Sequence, residues 1–204
     1  MYETAFHVAA LRKSGIARIR DLEGKRVGTG PANGPAEGYF RGLAEVSGIK
    51  PVIVAGAPAE MVKQLIAGDI DALWQGAVIP IPSLLDVQKQ ADAVVFGLTV
   101  DEVNLLRKRF PLMSASTTPP GRYAGQLAPL LSIAAWNFVI AHRELPETLA
   151  HTLTRTVLSA PDLVASVGLA AAGTRAANAV NNTIVPFHPG ALRALRDLGV
   201  EIKG

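Results

Sequence analysis

The sequence predicts an α/β fold with a largely parallel sheet. Short apolar runs of strand length alternate with segments of helical periodicity, the pattern of repeated strand–helix units. Prolines stand where the helical segments begin and glycines just past where they end, which fixes several boundaries independently of the periodicity.

Phe6-His7-Val8-Ala9-Ala10-Leu11 reads as the first strand, followed by a short segment over 16–22 and a second strand at Arg26-Val27-Gly28-Thr29. Val27-Gly28-Thr29-Gly30-Pro31-Ala32-Asn33-Gly34-Pro35-Ala36-Glu37 then leads into a helix over Pro35–Ser47, with Gly48 suited to the left-handed position beyond its end. Pro51-Val52-Ile53-Val54 is a third strand, Pro58–Ala67 a helix stopped by Gly68, and Ile70-Asp71-Ala72-Leu73-Trp74 a fourth strand. Pro80-Ile81-Pro82 opens a helix reaching Gln90, because proline is accepted in a first turn and damaging later. A fifth strand over 93–98 and a short helix over 102–110 follow. Residues 111–126, rich in Thr, Pro, Gly and Ser, read as a crossover or linker. Beyond them 131–141 is a buried strand, and the remainder is mainly helical.

The 204 residues suffice for one large domain or two small ones. Apolar residues make up 49% and charged residues 18%, below the roughly 25% usual for soluble domains, so part of the surface is short of charge. The formal charge is +3 and the pI about 9.4. The Lys and Arg residues are scattered, with Arg107-Lys108-Arg109 the one cluster, so a nucleic-acid footprint is not indicated, whereas small anions suit the net charge. With no cysteine, disulfides, thiolate catalysis and cysteine metal sites are excluded. No apolar run reaches the roughly 18 residues of a membrane span, and the opening Met1-Tyr2-Glu3-Thr4-Ala5-Phe6-His7 has no signal-peptide pattern.

Gly28, Gly30 and Gly34 lie close to the dinucleotide-binding spacing, and such a loop turns backbone N–H groups toward an anion at a helix N-terminus. The acidic residue expected at the end of the next strand is missing: that strand ends Val54-Ala55-Gly56-Ala57-Pro58, with no carboxylate before Glu60. No Lys-Ser or Lys-Thr pair follows Gly34, which excludes a P-loop. A carboxylate held by backbone amides remains, with Asn33 as a left-handed or capping residue and Pro35 near the first helical position.

Ile19-Arg20-Asp21-Leu22-Glu23-Gly24-Lys25-Arg26-Val27-Gly28 is similar to the entry into the second lobe of type II periplasmic solute-binding proteins, and Ala67-Gly68-Asp69-Ile70-Asp71-Ala72 to a recurring step of that lobe. Leu73-Trp74-Gln75-Gly76-Ala77-Val78-Ile79-Pro80-Ile81-Pro82 and Val185-Pro186-Phe187-His188-Pro189-Gly190-Ala191 narrow the resemblance to the TAXI family, solute receptors of tripartite ATP-independent periplasmic (TRAP) transporters. It covers essentially the whole chain. It implies a type II periplasmic-binding-protein fold that is N-terminally truncated: lobe two over 15–115, with 1–14 and 116–204 as crossover strands and the C-terminal remainder of lobe one. The implied function is an extracytoplasmic receptor that captures a small organic anion (glutamate, glutamine or a dicarboxylate) and passes it to the membrane permease, without enzymatic chemistry or cofactor.

The places of the family's ligand loop are taken by Asn33, Gly34, Pro35 and Ala36, where both hydroxyls of the family pattern are absent and Pro35 offers no N–H. The expected ligand-binding residues are Gly30, Asn33, Gly34, Ala36, Trp74, Gly76, Ala77, Arg122 and Tyr123. Trp74 stands at the C-terminal end of a strand, where open α/β sheets bind ligands, so its removal is expected to abolish binding without unfolding the protein. Gly76 and Ala77 would let a ligand approach the backbone. Arg122 and Tyr123 would reach a ligand carboxylate from the 111–126 stretch. The scattered histidines predict no metal site, and His188 reads as a structural turn residue. Two alternatives stay open: a dinucleotide-dependent oxidoreductase using the glycine-rich loop, and a degenerate receptor that binds no solute and pairs as a homodimer through uncovered apolar surface.

Overall fold

The computed structural model describes residues 1–202. The chain divides into two compact units, residues 4–135, and residues 1–3 with 136–204.

Seven strands make up one sheet: β1 (Tyr2–Leu11), β2 (Arg26–Gly28), β3 (Val52–Val54), β4 (Ala72–Ala77), β5 (Ala93–Phe96), β6 (Ser114–Thr118) and β7 (Leu130–Asn137). Their order is β3-β2-β4-β1-β7-β6, with β5 also on β1. The helices between them are α1 (Pro35–Ser47), α2 (Pro58–Ala67), α3 (Pro82–Gln90) and α4 (Val100–Arg109). Gly48 and Gly68 close α1 and α2 with φ of 68° and 86°, as the sequence signals require. Thr99 caps α4: its hydroxyl accepts from Glu102 N–H while its own N–H donates to the Glu102 carboxylate.

The expectation of a largely parallel sheet needs correcting to a mixed one. β2 pairs in parallel with β3 and β4, while β1 is antiparallel to both β4 and β5, and β6 to β7. Strands β2 to β5 therefore share one direction, as helical crossovers demand. β1 enters from outside those units and runs against them between β4 and β5. The 111–126 stretch also differs from a plain linker, because it contains β6. That strand escaped the hydrophobic pattern since its inward positions are Ser116 and Thr118. β7 stops at Asn137, leaving Val139 and Ile140 exposed.

Side chains alternate across β1 and fill both sides of the sheet. Phe6, Val8 and Ala10 join Phe40, Leu43, Val103 and Leu106 of α1 and α4. Ala9 and Leu11 join Met61, Leu65, Leu84 and Val87 of α2 and α3. The Phe6 ring stacks on Trp74 at 5.3 Å and meets Tyr39 edge-on at 5.3 Å. Trp74 has no exposed surface, and its indole N–H donates to the Ala36 carbonyl at 3.0 Å. The expected cleft-facing tryptophan is thus a core residue. Gly76 serves the same packing: a Cβ there would lie 2.2 Å from the Phe6 ring, so the group that approaches its backbone closely is an aromatic side chain of the protein itself.

His7 is the one polar side chain on the otherwise apolar inner run of β1, and it is fully buried. Its Nδ1 lies 3.1 Å from the Tyr123 hydroxyl and its Nε2 3.3 Å from the Thr118 hydroxyl. Ile81 N–H donates to Tyr123 Oη at 3.0 Å, so the network is complete when Tyr123 donates to Nδ1 and Nε2–H donates to Thr118. The loop carrying Tyr123 is pinned by two glutamines. Gln126 accepts from Arg122 and Tyr123 N–H and donates to the carbonyls of Pro119 and Ala128; Gln88 exchanges hydrogen bonds with Ala124 in both directions.

The second unit is built on α5 (Glu147–Leu158) and α7 (Pro189–Asp197), with the short α6 (Leu163–Val167) between them. A Cβ on Gly190 would lie 2.2 Å from the Glu147 carbonyl, so glycine permits the close crossing of α5 and α7. His188 caps α7 by accepting from Gly190 N–H at 3.2 Å, the structural role read from the sequence. His151 and Arg155 both reach the Asp197 carboxylate, at 2.7 and 3.4 Å.

Two predictions follow from this packing. Trp74→Ala should lower the unfolding free energy by about 3–5 kcal/mol in urea titrations, and Gly76→Ala by about 1–3 kcal/mol. The second concerns acid stability. Burial lowers the His7 pKa from 6.5 to about 4, so between these values the unfolded chain binds a proton that the folded chain refuses. This contribution is complete above pH 6.5 and should fall by about 3 kcal/mol as the pH drops to 4, whereas a His7→Gln chain, titrated with urea across that window, should lose correspondingly less.

Candidate functional site

The glycine-rich loop leaves from the C-terminal end of β2, alongside β4, which runs on to Ala77. Val27 pairs with Ala72 and Gly28 with Leu73, so Gly30 comes level with Gln75. The opposite ends are tied by charge: Arg26 grips Asp71 through two guanidinium nitrogens, at 2.9 and 3.1 Å, which lowers the Asp71 pKa. The C-terminal end is therefore the free one, the position from which open α/β sheets present ligands.

Each glycine in the loop has a specific reason. At Gly28 a Cβ would lie 2.8 Å from both Ile70 and Met61, so α2 could not approach β2. Gly30 is left-handed with φ of 88° and donates its N–H to the Met61 sulfur at 3.4 Å. Asn33 is the only non-glycine residue with positive φ among the described residues, at 59°, matching the left-handed role expected of it. Gly34 caps α1, its N–H donates to the Pro31 carbonyl, and a Cβ would lie 2.9 Å from that oxygen. Pro35 occupies the first position of α1.

The first turn of α1 leaves a defined set of donors. Asn33 N–H is taken by the Glu37 carboxylate at 3.1 Å, and that carboxylate also holds Arg41 at 2.7 Å. These contacts, Arg41 first, lower the Glu37 pKa. Among the described residues the N–H groups of Ala36 and Glu37 have no acceptor. They point along the helix axis, where the macrodipole favours negative charge.

Two side chains at the same sheet end are buried without partners. Thr29 is fully buried and its hydroxyl makes no hydrogen bond; Gln75 is 6% exposed and its Nε2 makes none. Gln75 was not among the residues expected from the sequence, although a glutamine closing the apolar run Ala72-Leu73-Trp74 is a signal that was there to read.

The structure thus gathers Gly30, Asn33, Gly34 and Ala36 at one loop. Trp74 lies beneath it, in the core, and reaches it through the Ala36 carbonyl. Gly76 packs on Phe6, and the half-buried Ala77 ends β4 opposite Ala5. Tyr123 does not present its hydroxyl to a ligand: the group is buried and committed to Ile81 and His7, and burial raises its pKa to about 12. The neighbouring Arg122 is exposed, with its backbone N–H on Gln126. Among the described residues no three His, Asp or Glu side chains gather as metal ligands, and no helix is long and apolar enough to cross a membrane.

Comparison with known proteins places this chain in a family. The model of the NMT1-like family matches residues 1–199. A comparison with curated proteins found no match. Among solved structures, the chain is similar to the arginine-, lysine-, histidine-binding protein ArtJ from Geobacillus stearothermophilus, with 16% identity over 46% of this chain and 39% of that one and a TM-score of 0.37. It is similar to an ancestral arginine-binding protein bound to arginine, with 18% identity over 66% and 47% of the two chains and a TM-score of 0.39. A third is an ABC uptake transporter substrate-binding protein from Streptococcus pneumoniae with bound histidine, with 14% identity over 66% and 45% and a TM-score of 0.38. The match spans 39–47% of the length of these three proteins. With a family model covering nearly its whole length, this chain belongs to the NMT1-like family, which is of the periplasmic solute-binding type.

Proposed function

We propose that this chain is a TAXI-type solute receptor that captures a small organic anion, an amino acid or a dicarboxylate, and delivers it to the membrane permease of a TRAP transporter. The observation that carries the reading is the donor set at the start of α1. The N–H groups of Ala36 and Glu37 are unbonded, they sit at the positive end of a 13-residue helix, and the nearest acid, Glu37, is already paired with Arg41. A carboxylate fits such a place without a cationic side chain. The family assignment and the TAXI-like sequence elements support the same reading. In this proposal residues 15–115 are the receptor's second lobe, with 1–14 and 116–204 as crossover strands and part of the first.

The fate of the solute is binding and release, with no covalent step. The family's loop hydroxyls are replaced here by Gly34, Pro35 and Ala36, so backbone donors carry the carboxylate. The test is isothermal titration with L-glutamate, L-glutamine and succinate, for which saturable binding of at least one is expected. Ala36→Pro deletes one donor at a helix position that accepts proline and should weaken that binding tenfold or more, with the unfolding midpoint changed by only a few degrees. Failure of all three probes to bind, or undiminished binding by Ala36→Pro, overturns the reading.

A further inference from the structure

Gln75 has the placement of a residue that reads the ligand rather than one that holds the fold. It lies on β4 one residue beyond Trp74, with its side chain on the opposite side of the sheet from the Phe6–Trp74 stack. Its Nε2 lies 3.8 Å from where a Cβ on Gly30 would be, so the carboxamide is directed to the glycine loop, with the Ala36 methyl at the same distance. The residue is nine-tenths buried and this nitrogen has no partner. A buried N–H without an acceptor costs a ligand-free protein about 1–3 kcal/mol, an arrangement that native cores otherwise avoid.

The surroundings decide what kind of group belongs there. Across the β1–β4 ladder Gln75 faces His7, whose two ring nitrogens are engaged by the Tyr123 and Thr118 hydroxyls. Burial keeps that imidazole neutral at physiological pH and the Tyr123 phenol protonated. Met61 lies on the loop side, its sulfur accepting from Gly30 N–H. All of these groups are uncharged. An ionised group brought against them would lose its hydration with no counter-ion, whereas a neutral oxygen accepts the Gln75 N–H without that penalty.

We propose that Gln75 is the specificity-determining residue of the site and that its carboxamide donates to an uncharged acceptor oxygen of the solute, a carboxamide or carbonyl. The inference rests on the solute-binding reading above and deepens it: the carboxylate of the solute takes the α1 N-terminus and its amide takes Gln75, so an amide-bearing amino acid is preferred over a dicarboxylate.

The experiment compares the wild-type chain with Gln75→Leu and Gln75→Met, titrated with L-glutamine and L-glutamate, alongside ligand-free thermal unfolding. Wild type should bind glutamine at least tenfold more tightly than glutamate. Both variants should lose tenfold or more in glutamine affinity, while their ligand-free midpoints equal or exceed that of wild type, because removing an unpaired polar group relieves the fold. Lower midpoints in both variants would show that the carboxamide is satisfied within the fold and would overturn the inference. So would equal glutamine binding by wild type and Gln75→Met, or glutamate binding as tight as glutamine, and in either case the receptor reading would stand. Absence of binding by wild type to either probe and to succinate would overturn both.

Discussion

Strand β1 has no solvent side. From Ala5 to Leu11 every residue is buried, because the strand runs with β4 on one side and β7 and β5 on the other, and with helices on both faces of the sheet. Such a strand must be apolar in both directions, and any exception must be neutralised in place. The rest of the larger unit can be derived from how its two faces meet that constraint. On one face Phe6 needs a flat partner and room: Trp74 supplies the partner, and Gly76, directly opposite Phe6 in the ladder, supplies the room. Ser132 adds a hydrogen bond from its hydroxyl to the Phe6 carbonyl. On the other face His7 breaks the apolar pattern, and its two nitrogens call for two buried hydroxyls, which come from Thr118 at the end of β6 and Tyr123 in the loop beyond it.

That requirement explains why the Thr-, Pro- and Gly-rich stretch after α4 is ordered. A loop that merely crossed the surface would need no anchor. This one must hold Tyr123 against His7 and Ile81, so Gln126 binds its backbone from within and Gln88 from α3. The composition of the stretch signals a turn-rich segment correctly. It gives no sign that a polar strand begins it, because the inward side chains of β6 are hydroxyls, of which Thr118 answers to a histidine on another strand.

What was legible in the sequence is what local chemistry decides. The bounds of α1 and α2 follow from a proline in the first turn and a left-handed glycine after the last, and Asn33 takes the backbone conformation its side chain tolerates. The direction and placement of β1 were not legible, since a buried antiparallel strand and a buried parallel one carry the same apolar run. The misplacement of Trp74 has the same origin. An aromatic residue at a strand end faces either ligand or core, and the deciding fact, the register that sets Gly76 opposite Phe6, is a property of two strands separated by most of the unit. Gln75 was overlooked for the complementary reason: within an apolar strand one polar residue passes for noise until its lack of a partner is seen.

The contrast between His7 and Gln75 is the physical basis for separating fold from function in this chain. They are neighbours across the same ladder, both buried and both polar. The core has brought two hydroxyls from residues more than a hundred positions away to satisfy one of them, and has left the amide nitrogen of the other unmet. Each such unmet group costs about 1–3 kcal/mol against a folding free energy of roughly 5–15 kcal/mol. An uncompensated amide beside the glycine loop, at the sheet end where α1 offers free N–H groups, is the group that the proposed partner from outside the chain would satisfy.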